Sequence, residues 1–186
     1  MRIRTSTLTI AGLMFLGAQA CSGSSHTTLA GGTGTPTVTP TAQATQATIT
    51  LTSPAFTQNG LIPTAYTCDT TGSAVSPPLA WSGIPKGTGW LALYVYDNTG
   101  QVLHWIVVNI SPTVTGVAAG RLAGGVEVAN YLPMCPGTGN TDQYEFYVYA
   151  EPASYHLPKI GPSYAVDQDG LASHALGVGT LYGDYH

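Results

Sequence analysis

An aspartate and a histidine stand on either side of a predicted turn, where they could act together on a ligand or a proton. Asp97 ends the segment LALYVYD, and His104 is the third residue of the segment VLHWIVVNI. A carboxylate beside an imidazole can hold the ring in one tautomer or keep it protonated near neutral pH. The residues between them, Asn-Thr-Gly at 98–100, are typical of a hairpin turn. We therefore expect both side chains at the same rim of a sheet.

His104 also has a simpler interpretation as a core residue. The alternation of side chains along a strand predicts His104, Ile106 and Val108 on one face, with Trp105 and Val107 on the other. Both faces are largely apolar, which is typical of an internal strand that buries its histidine. The position of His104 close to the strand end favours a site at the sheet rim instead.

Asp97 and His104 match two of the three members of a hydrolytic triad. The sequence contains no Gly-x-Ser-x-Gly elbow and places no serine beside His104. A histidine and aspartates in no recognised spacing are too few for a hydrolytic metal site. We predict no enzyme activity, no cofactor and no metal, with a hydrolase based on Asp97 and His104 as the less favoured alternative.

The elements that must position these residues are mostly β-strands. A short helix is predicted over residues 166–174, close to the end of the chain. The strands are predicted from segments rich in β-branched and aromatic residues and bounded by turn formers, at residues 48–52, 90–96, 102–110, 144–150 and 176–182. These elements predict one β-dominated domain over residues 48–186, long enough to bury a sizeable core.

The N-terminal part of the chain has the pattern of a targeting segment and a tether. In residues 1–20, two arginines precede a short apolar run, and Ala-Gln-Ala forms a small-residue cleavage site before Cys21. A cysteine at this place is typical of a bacterial lipoprotein, so we predict lipidation of Cys21; plain secretion with a free cysteine is the alternative. Residues 21–47 are rich in Ser, Thr, Gly and Pro, which predicts a flexible tether. The protein is therefore predicted to be exported to the bacterial cell envelope and anchored to a membrane by its lipid, facing the periplasm or the exterior.

The charge balance excludes some partners. After residue 20 the chain has three basic residues against nine acidic ones, a net charge of −6. Binding to nucleic acid requires several Lys or Arg side chains to neutralise phosphates, so we predict no nucleic-acid partner. The same scarcity argues against a polybasic attachment to anionic lipid. A phosphate-like ligand would have to be held by hydrogen bonds in a pocket.

Two cysteines remain in the predicted domain, Cys68 and Cys135. Two cysteines allow a single pairing, and an oxidising compartment favours a disulfide between them. Two separate buried thiols are the alternative. A metal site is the least favoured interpretation, because no Cys-x-x-Cys or clustered histidines accompany them.

Several segments of the chain occur together in one known family. They are, in order, TSPAFTQNGLIPTAYTCD, VSPPLAWSGIP, LALYVYDNTG, VLHWIVVNI, QYEFYVYAE and HALGVGTLYGDY. In combination, over residues 49–185, they resemble the phosphatidylethanolamine-binding proteins, most of all the bacterial Raf-kinase-inhibitor-like branch. The resemblance implies a mainly β fold with a large antiparallel sheet, a smaller second sheet and a few short peripheral helices. It also implies a small pocket at the sheet rim for phosphate, acetate or a phospholipid head group, with Cys68 and Cys135 in bordering loops.

The resemblance indicates which residues would line this pocket. Asp97 matches the first aspartate of the family's Asp-Pro-Asp motif, His104 the histidine of the next strand, and Tyr144 the tyrosine of its His-Arg-Tyr motif. Gly137 and Gly139, in the stretch PMCPGTGN, could direct backbone N–H groups toward an anion. The alternative for these glycines is a plain surface turn.

The chain departs from the family pattern at two motifs. Asn98 and Thr99 stand in place of the proline and the second aspartate, and Asp142 and Gln143 stand in place of His-Arg. A carboxylate at position 142 removes a donor and repels an anion. Asp142 is therefore a further candidate ligand-binding residue, and it leaves open a weakly bound phosphate or a preference for a cationic or neutral ligand.

These observations predict a non-enzymatic envelope protein that binds a small anion or a phospholipid head group. The family's other recurring activity, inhibition of kinases or proteases by surface contact, adds a possible protein partner. A structural or adhesive surface lipoprotein is the alternative from another class, because the tether and the low charge suit it equally well.

Overall fold

The structure, a computed structural model, describes residues 45–160 and 163–186. The predicted signal peptide, the predicted lipidation site Cys21 and the tether up to residue 44 lie outside the described residues. The described chain contains helix α1 (Gln168–His174), a 3₁₀ turn (Thr64–Tyr66) and twelve strands. The strands are β1 Ala47–Thr48, β2 Thr50–Thr52, β3 Gly60–Leu61, β4 Leu79–Ser82, β5 Thr88–Asp97, β6 Val102–Ile110, β7 Gly116–Val117, β8 Val126–Ala129, β9 Asp142–Pro152, β10 Lys159–Ile160, β11 Ser163–Tyr164 and β12 Gly177–Tyr185.

Seven of these strands form one large sheet. Its order is β1-β12-β9-β5-β6-β8, with β3 paired to the far end of β12. The long central strands are antiparallel, whereas the short strands β1 and β3 run parallel to β12. Strands β2, β4 and β7 form a smaller sheet, and β10 and β11 form a hairpin. The predicted fold class is confirmed, with the two short parallel strands as an addition.

The large sheet buries apolar side chains on both faces. One face packs against the small sheet, where Phe146 belongs to the same cluster as Leu51 and Trp81. The other face is covered by α1, whose Leu171 packs in a cluster with Tyr149. Burial on both faces is the reason that β5 and β6 read as continuous apolar runs.

The long strands and the helix were predicted nearly in their full extent, whereas the shorter strands β3, β4, β7, β8, β10 and β11 were not predicted. The strands predicted at 90–96, 102–110, 144–150 and 176–182 are confirmed, with ends shifted by at most three residues. The strand predicted at 48–52 is divided at Ile49, because β1 pairs with the large sheet and β2 with the small one. Helix α1 starts at Gln168, where the side chain of Asp167 accepts a hydrogen bond of 2.6 Å from the backbone N–H of Gly170.

A β-bulge in β6 reverses the face that His104 was predicted to occupy. Tyr96 pairs with Leu103 and Val95 pairs with Trp105, so His104 is the extra residue between two ladder positions. A bulge of this kind directs consecutive side chains toward the same face. His104 accordingly shares the face of Trp105 rather than that of Ile106, and the prediction from simple alternation was wrong.

No helix in the described ranges is both long and apolar enough to cross a bilayer.

Candidate functional site

Three strand ends bring the predicted acidic and aromatic residues together at one edge of the large sheet. Asp97 is the last residue of β5 and lies directly opposite Tyr144 of β9 in the antiparallel pair. Asp142 is the first residue of β9, two positions before Tyr144 and on the same face. The bulge in β6 turns His104 toward them, so that its ring centroid lies 5.1 Å from that of Tyr144 in an edge-to-face arrangement. We call these four residues the rim cluster.

The imidazole of His104 is oriented by the backbone of a loop. Its Nδ1 lies 2.8 Å from the carbonyl oxygen of Leu132, and the Leu132 N–H donates to the His104 carbonyl at 2.7 Å. Because a carbonyl only accepts, Nδ1 carries the hydrogen and Nε2 is left as an acceptor in the neutral ring. The sequence predicted that Asp97 could fix this tautomer, and the structure gives that role to Leu132. No sequence signal pointed to Leu132, since it contacts His104 across a long loop.

Burial lowers the pKa of His104 below its ordinary value. The desolvation of the charged ring outweighs the opposing effects of the Leu132 hydrogen bond and of the Asp97 and Asp142 carboxylates. The ring is therefore neutral near pH 7. The expectation that a carboxylate keeps it protonated at that pH is not met.

Asp97 is held by the hairpin turn that follows it. Its Oδ1 accepts hydrogen bonds from the backbone N–H groups of Thr99 (2.8 Å) and Gly100 (2.7 Å). A Cβ atom on Gly100 would stand 2.5 Å from Asp97 Oδ2, so only glycine leaves room for the carboxylate in this position. The turn therefore fixes the Asp97 side chain at the sheet edge, as a turn-capping aspartate would be fixed.

Asp142 lies beside Asp97 at the sheet edge, because Asp97 pairs with Tyr144 and Asp142 stands two positions before Tyr144 on the same face. Burial first, and then the negative charge of the Asp97 carboxylate, raise the pKa of Asp142, while the charge of His104 opposes them. A positive charge placed between the two carboxyl groups would favour the ionised form of Asp142.

The hydroxyl group of Tyr144 is buried and has no hydrogen-bond partner among the described residues. Burial first, and then the charges of Asp97 and Asp142, raise its pKa well above the ordinary value. The backbone of Cys135 acts in the opposite direction, yet it does not reach Tyr144 with the geometry of a hydrogen bond. An orphaned buried hydroxyl is costly, and it marks a place where a water or ligand atom would be bound.

The rim cluster is closed to solvent in this structure. The exposed fractions of Asp97, His104, Asp142 and Tyr144 are 3%, 3%, 6% and 0%. Leu132 and the turn at Gly100 contribute to the cover through their hydrogen bonds to His104 and Asp97. A ligand larger than a few atoms would have to displace part of this cover.

A disulfide between Cys68 and Cys135 ties two loops beside the rim cluster. The predicted pairing is confirmed, with an S–S distance of 2.07 Å and Cα atoms 5.4 Å apart. A backbone hydrogen bond also connects the two loops, because the N–H of Cys68 donates to the carbonyl of Met134 at 3.0 Å. The covering residue Leu132 belongs to the same loop as Cys135, so the disulfide restrains the cover.

Gly137 and Gly139 lie in an exposed turn. The N–H of Asn140 donates to the carbonyl of Gly137 at 2.9 Å, and Gly139 has φ +79°, which favours glycine. This geometry is that of the plain surface turn that the sequence left as the alternative, and a role for their N–H groups stays a prediction. Within residues 45–160 and 163–186, no group of three or more His, Cys, Asp or Glu side chains is arranged to hold a metal ion.

Comparison with known families matches most of the chain. Residues 52–186 match the family described as phosphatidylethanolamine-binding protein. A UPF0098 protein of Chlamydia muridarum is 33% identical over 147 residues, which cover 73% of this chain and 97% of that protein. A UPF0098 protein of Methanothermobacter thermautotrophicus is 36% identical over 146 residues, covering 70% of this chain and 94% of the relative.

Solved structures of proteins from the same family are also similar to this one. A phosphatidylethanolamine-binding protein homolog from Chlamydia trachomatis superposes with a TM-score of 0.62 at 28% identity, over 76% of this chain and 99% of that one. YbcL of Escherichia coli is described as a new member of the mammalian phosphatidylethanolamine-binding protein family. It superposes with a TM-score of 0.59 at 25% identity, over 75% of this chain and 99% of the YbcL chain. These likenesses extend over nearly the whole length of the relatives.

Proposed function

Because this chain belongs to the phosphatidylethanolamine-binding protein family, we propose that it is a non-enzymatic protein that binds a small ligand at the rim cluster. The ligand is a small anion or the head group of a phospholipid. The observation that carries this proposal is the Tyr144 hydroxyl, which is fully buried and unpartnered beside His104 and the two aspartates. A protein that needed these residues only for packing would gain stability by replacing this tyrosine with phenylalanine.

The predicted location in the cell envelope would place this binding site near phospholipids. A lipidated Cys21 followed by a flexible tether would hold the domain close to a membrane in the bacterial envelope, where phospholipid head groups are at hand. A regulatory version of the same function adds a protein partner, such as a kinase or protease that is inhibited by surface contact. In that version, ligand entry past the loop of Leu132 changes the surface that the partner meets.

Hydrolysis with Asp97 and His104 is the weaker proposal. In a triad the aspartate accepts from the Nδ1–H of the histidine, whereas here that group is directed at Leu132. A structural role is the stronger competitor, since closure of the rim cluster favours it. Binding measurements separate these functions.

The test is a titration of the full chain with inorganic phosphate and with glycerophosphoethanolamine, followed by NMR or calorimetry. Tyr144→Phe should weaken binding by about tenfold, the effect of one lost hydrogen bond of about 1.4 kcal/mol. Tyr149→Phe is the matched control, because Tyr149 lies in the same strand on the opposite face and its hydroxyl accepts from Gln168 at 3.2 Å. If the unmodified chain bound neither ligand, or if Tyr144→Phe and Tyr149→Phe bound equally well, the proposal would be refuted.

A further inference from the structure

We propose that the part of the ligand that enters the rim cluster is a primary ammonium group, held by the acceptor atoms of Asp97, Asp142, His104 and Tyr144. This inference rests on the proposed function, since it names the chemistry of the ligand for the same site. It reverses the charge that the family resemblance implies for the pocket.

The first step is the charge of the rim cluster. The charged groups that act on His104 are Asp97 and Asp142, and those that act on Asp142 are Asp97 and His104. No lysine or arginine contributes to either set. A phosphate placed here would meet two carboxyl groups and a neutral imidazole, an arrangement with no cation to offset the repulsion.

The second step is the number of acceptors. An ammonium group has three N–H donors and accepts nothing. With Nδ1 of His104 engaged by Leu132, the ring offers Nε2 as an acceptor, and the carboxyl groups of Asp97 and Asp142 supply two more. The unpartnered oxygen of Tyr144 is a further acceptor beside them. These acceptors are enough to satisfy all three donors of an ammonium group, and the residues that carry them are buried.

The third step is the proton balance. Burial and the Asp97 carboxylate raise the pKa of Asp142, and a bound ammonium ion favours its ionised form. Where Asp142 is protonated in the free protein, binding therefore releases its proton to the solvent. Affinity should rise by up to about tenfold per pH unit until Asp142 is ionised and then level off. An anion held by a protonated His104 would show the opposite trend.

Other titratable groups face the cluster from its neighbouring strands and loops. Tyr144 belongs to β9 itself, and Tyr185 of β12 lies opposite Asp142 and donates to Asp69 in the loop beyond the sheet. The two tyrosines have a raised pKa, so they stay neutral across the range in which Asp142 titrates. The pH response therefore belongs to Asp142 and His104.

The experiment is a calorimetric titration of the full chain at pH 4 to 8 with ethylammonium, tetramethylammonium and inorganic phosphate. Ethylammonium should bind, with affinity rising with pH, and two buffers of different ionisation enthalpy should report the released proton. Tetramethylammonium has the same charge without N–H donors and should not bind. Asp142→Asn should abolish ethylammonium binding, and Asp184→Asn, an aspartate of β12 outside the rim cluster, should leave it unchanged.

The outcomes separate this inference from the function on which it rests. Phosphate binding by the unmodified chain, with affinity falling as pH rises, would overturn the ammonium inference and leave the proposed function standing. Failure of all the probes, glycerophosphoethanolamine included, would overturn both. Should Asp142→Asn fail to fold, the proton count on the unmodified chain still decides, because anion binding takes up protons or leaves them unchanged.

Discussion

Replacement of Glu151 by glutamine should stabilise the protein at pH 8 and change its stability little at pH 4. Glu151 lies near the end of β9, directly opposite Trp90 of β5. Its side chain is completely buried, and neither carboxyl oxygen has a hydrogen-bond partner among the described residues. Desolvation raises the pKa of Glu151 from 4.5 to about 7.

The magnitude follows from this shift. Below pH 4.5 the glutamic acid is protonated in both the folded and the unfolded chain, and burial costs no charge. As pH rises from 4.5 to about 7, the unfolded chain ionises and the folded chain does not, so the free energy of unfolding falls. The difference between about 7 and 4.5 corresponds to a loss of about 3 kcal/mol, which is complete above pH 7. Glutamine has the same shape and cannot ionise, so the variant escapes this loss.

The assay is urea denaturation at pH 4, 6 and 8, with the stability difference between variant and unmodified protein plotted against pH. The difference removes the contributions of Asp142 and His104, which titrate in both proteins. Glu145→Gln is the matched control, a half-buried residue of the same strand that accepts a hydrogen bond from Tyr147 at 2.6 Å. A difference for Glu151→Gln that stays constant from pH 4 to 8 would show that the reasoning from burial is wrong.

Three further predictions concern the rim cluster and its cover. Tyr144→Phe should raise the free energy of unfolding by about 1 kcal/mol by removing an orphaned hydroxyl, and a loss of stability in urea denaturation would mean that this hydroxyl has a partner. Gly100→Ala should lower stability by about 1–3 kcal/mol, because its Cβ would collide with the Asp97 carboxylate and disrupt the turn; an unchanged melting temperature would contradict this. Reduction of the disulfide should cost about 4 kcal/mol, since it closes a loop of 67 residues, and equal denaturation midpoints with and without reductant would argue against it.

The sequence predicted the sheet well because its central strands carry strong local signals. The segment at 102–110 is almost wholly β-branched or apolar, and its predicted bounds match β6. Simple alternation could not reveal the bulge at His104, because a bulge depends on how two strands pair and leaves no mark in the composition of one. The face of His104, on which the site depends, was therefore beyond the reach of the pattern.

The members of the rim cluster were predicted through the family resemblance, while their interactions were not. The hydrogen bond from His104 to Leu132 joins residues 28 positions apart through an irregular loop, where periodicity carries no information. Glu151 was missed for another reason. In the sequence, Glu151 looks like an ordinary charged residue at the end of a strand. Its burial becomes visible only in the structure, where α1 and the segment around Leu157 pack on the same face of the large sheet.

The bond between Cys68 and Cys135 bears on how samples of this protein behave. Both residues lie at the surface, where a reductant can reach the sulfur atoms. Material produced in a reducing host cytoplasm would carry free thiols, and the loop of Leu132 would then be held only by its hydrogen bonds and by the packing of Met134 in the core. Ligand association rates measured on such material should exceed those of oxidised protein from a periplasmic preparation, so two laboratories could report different kinetics for one sequence.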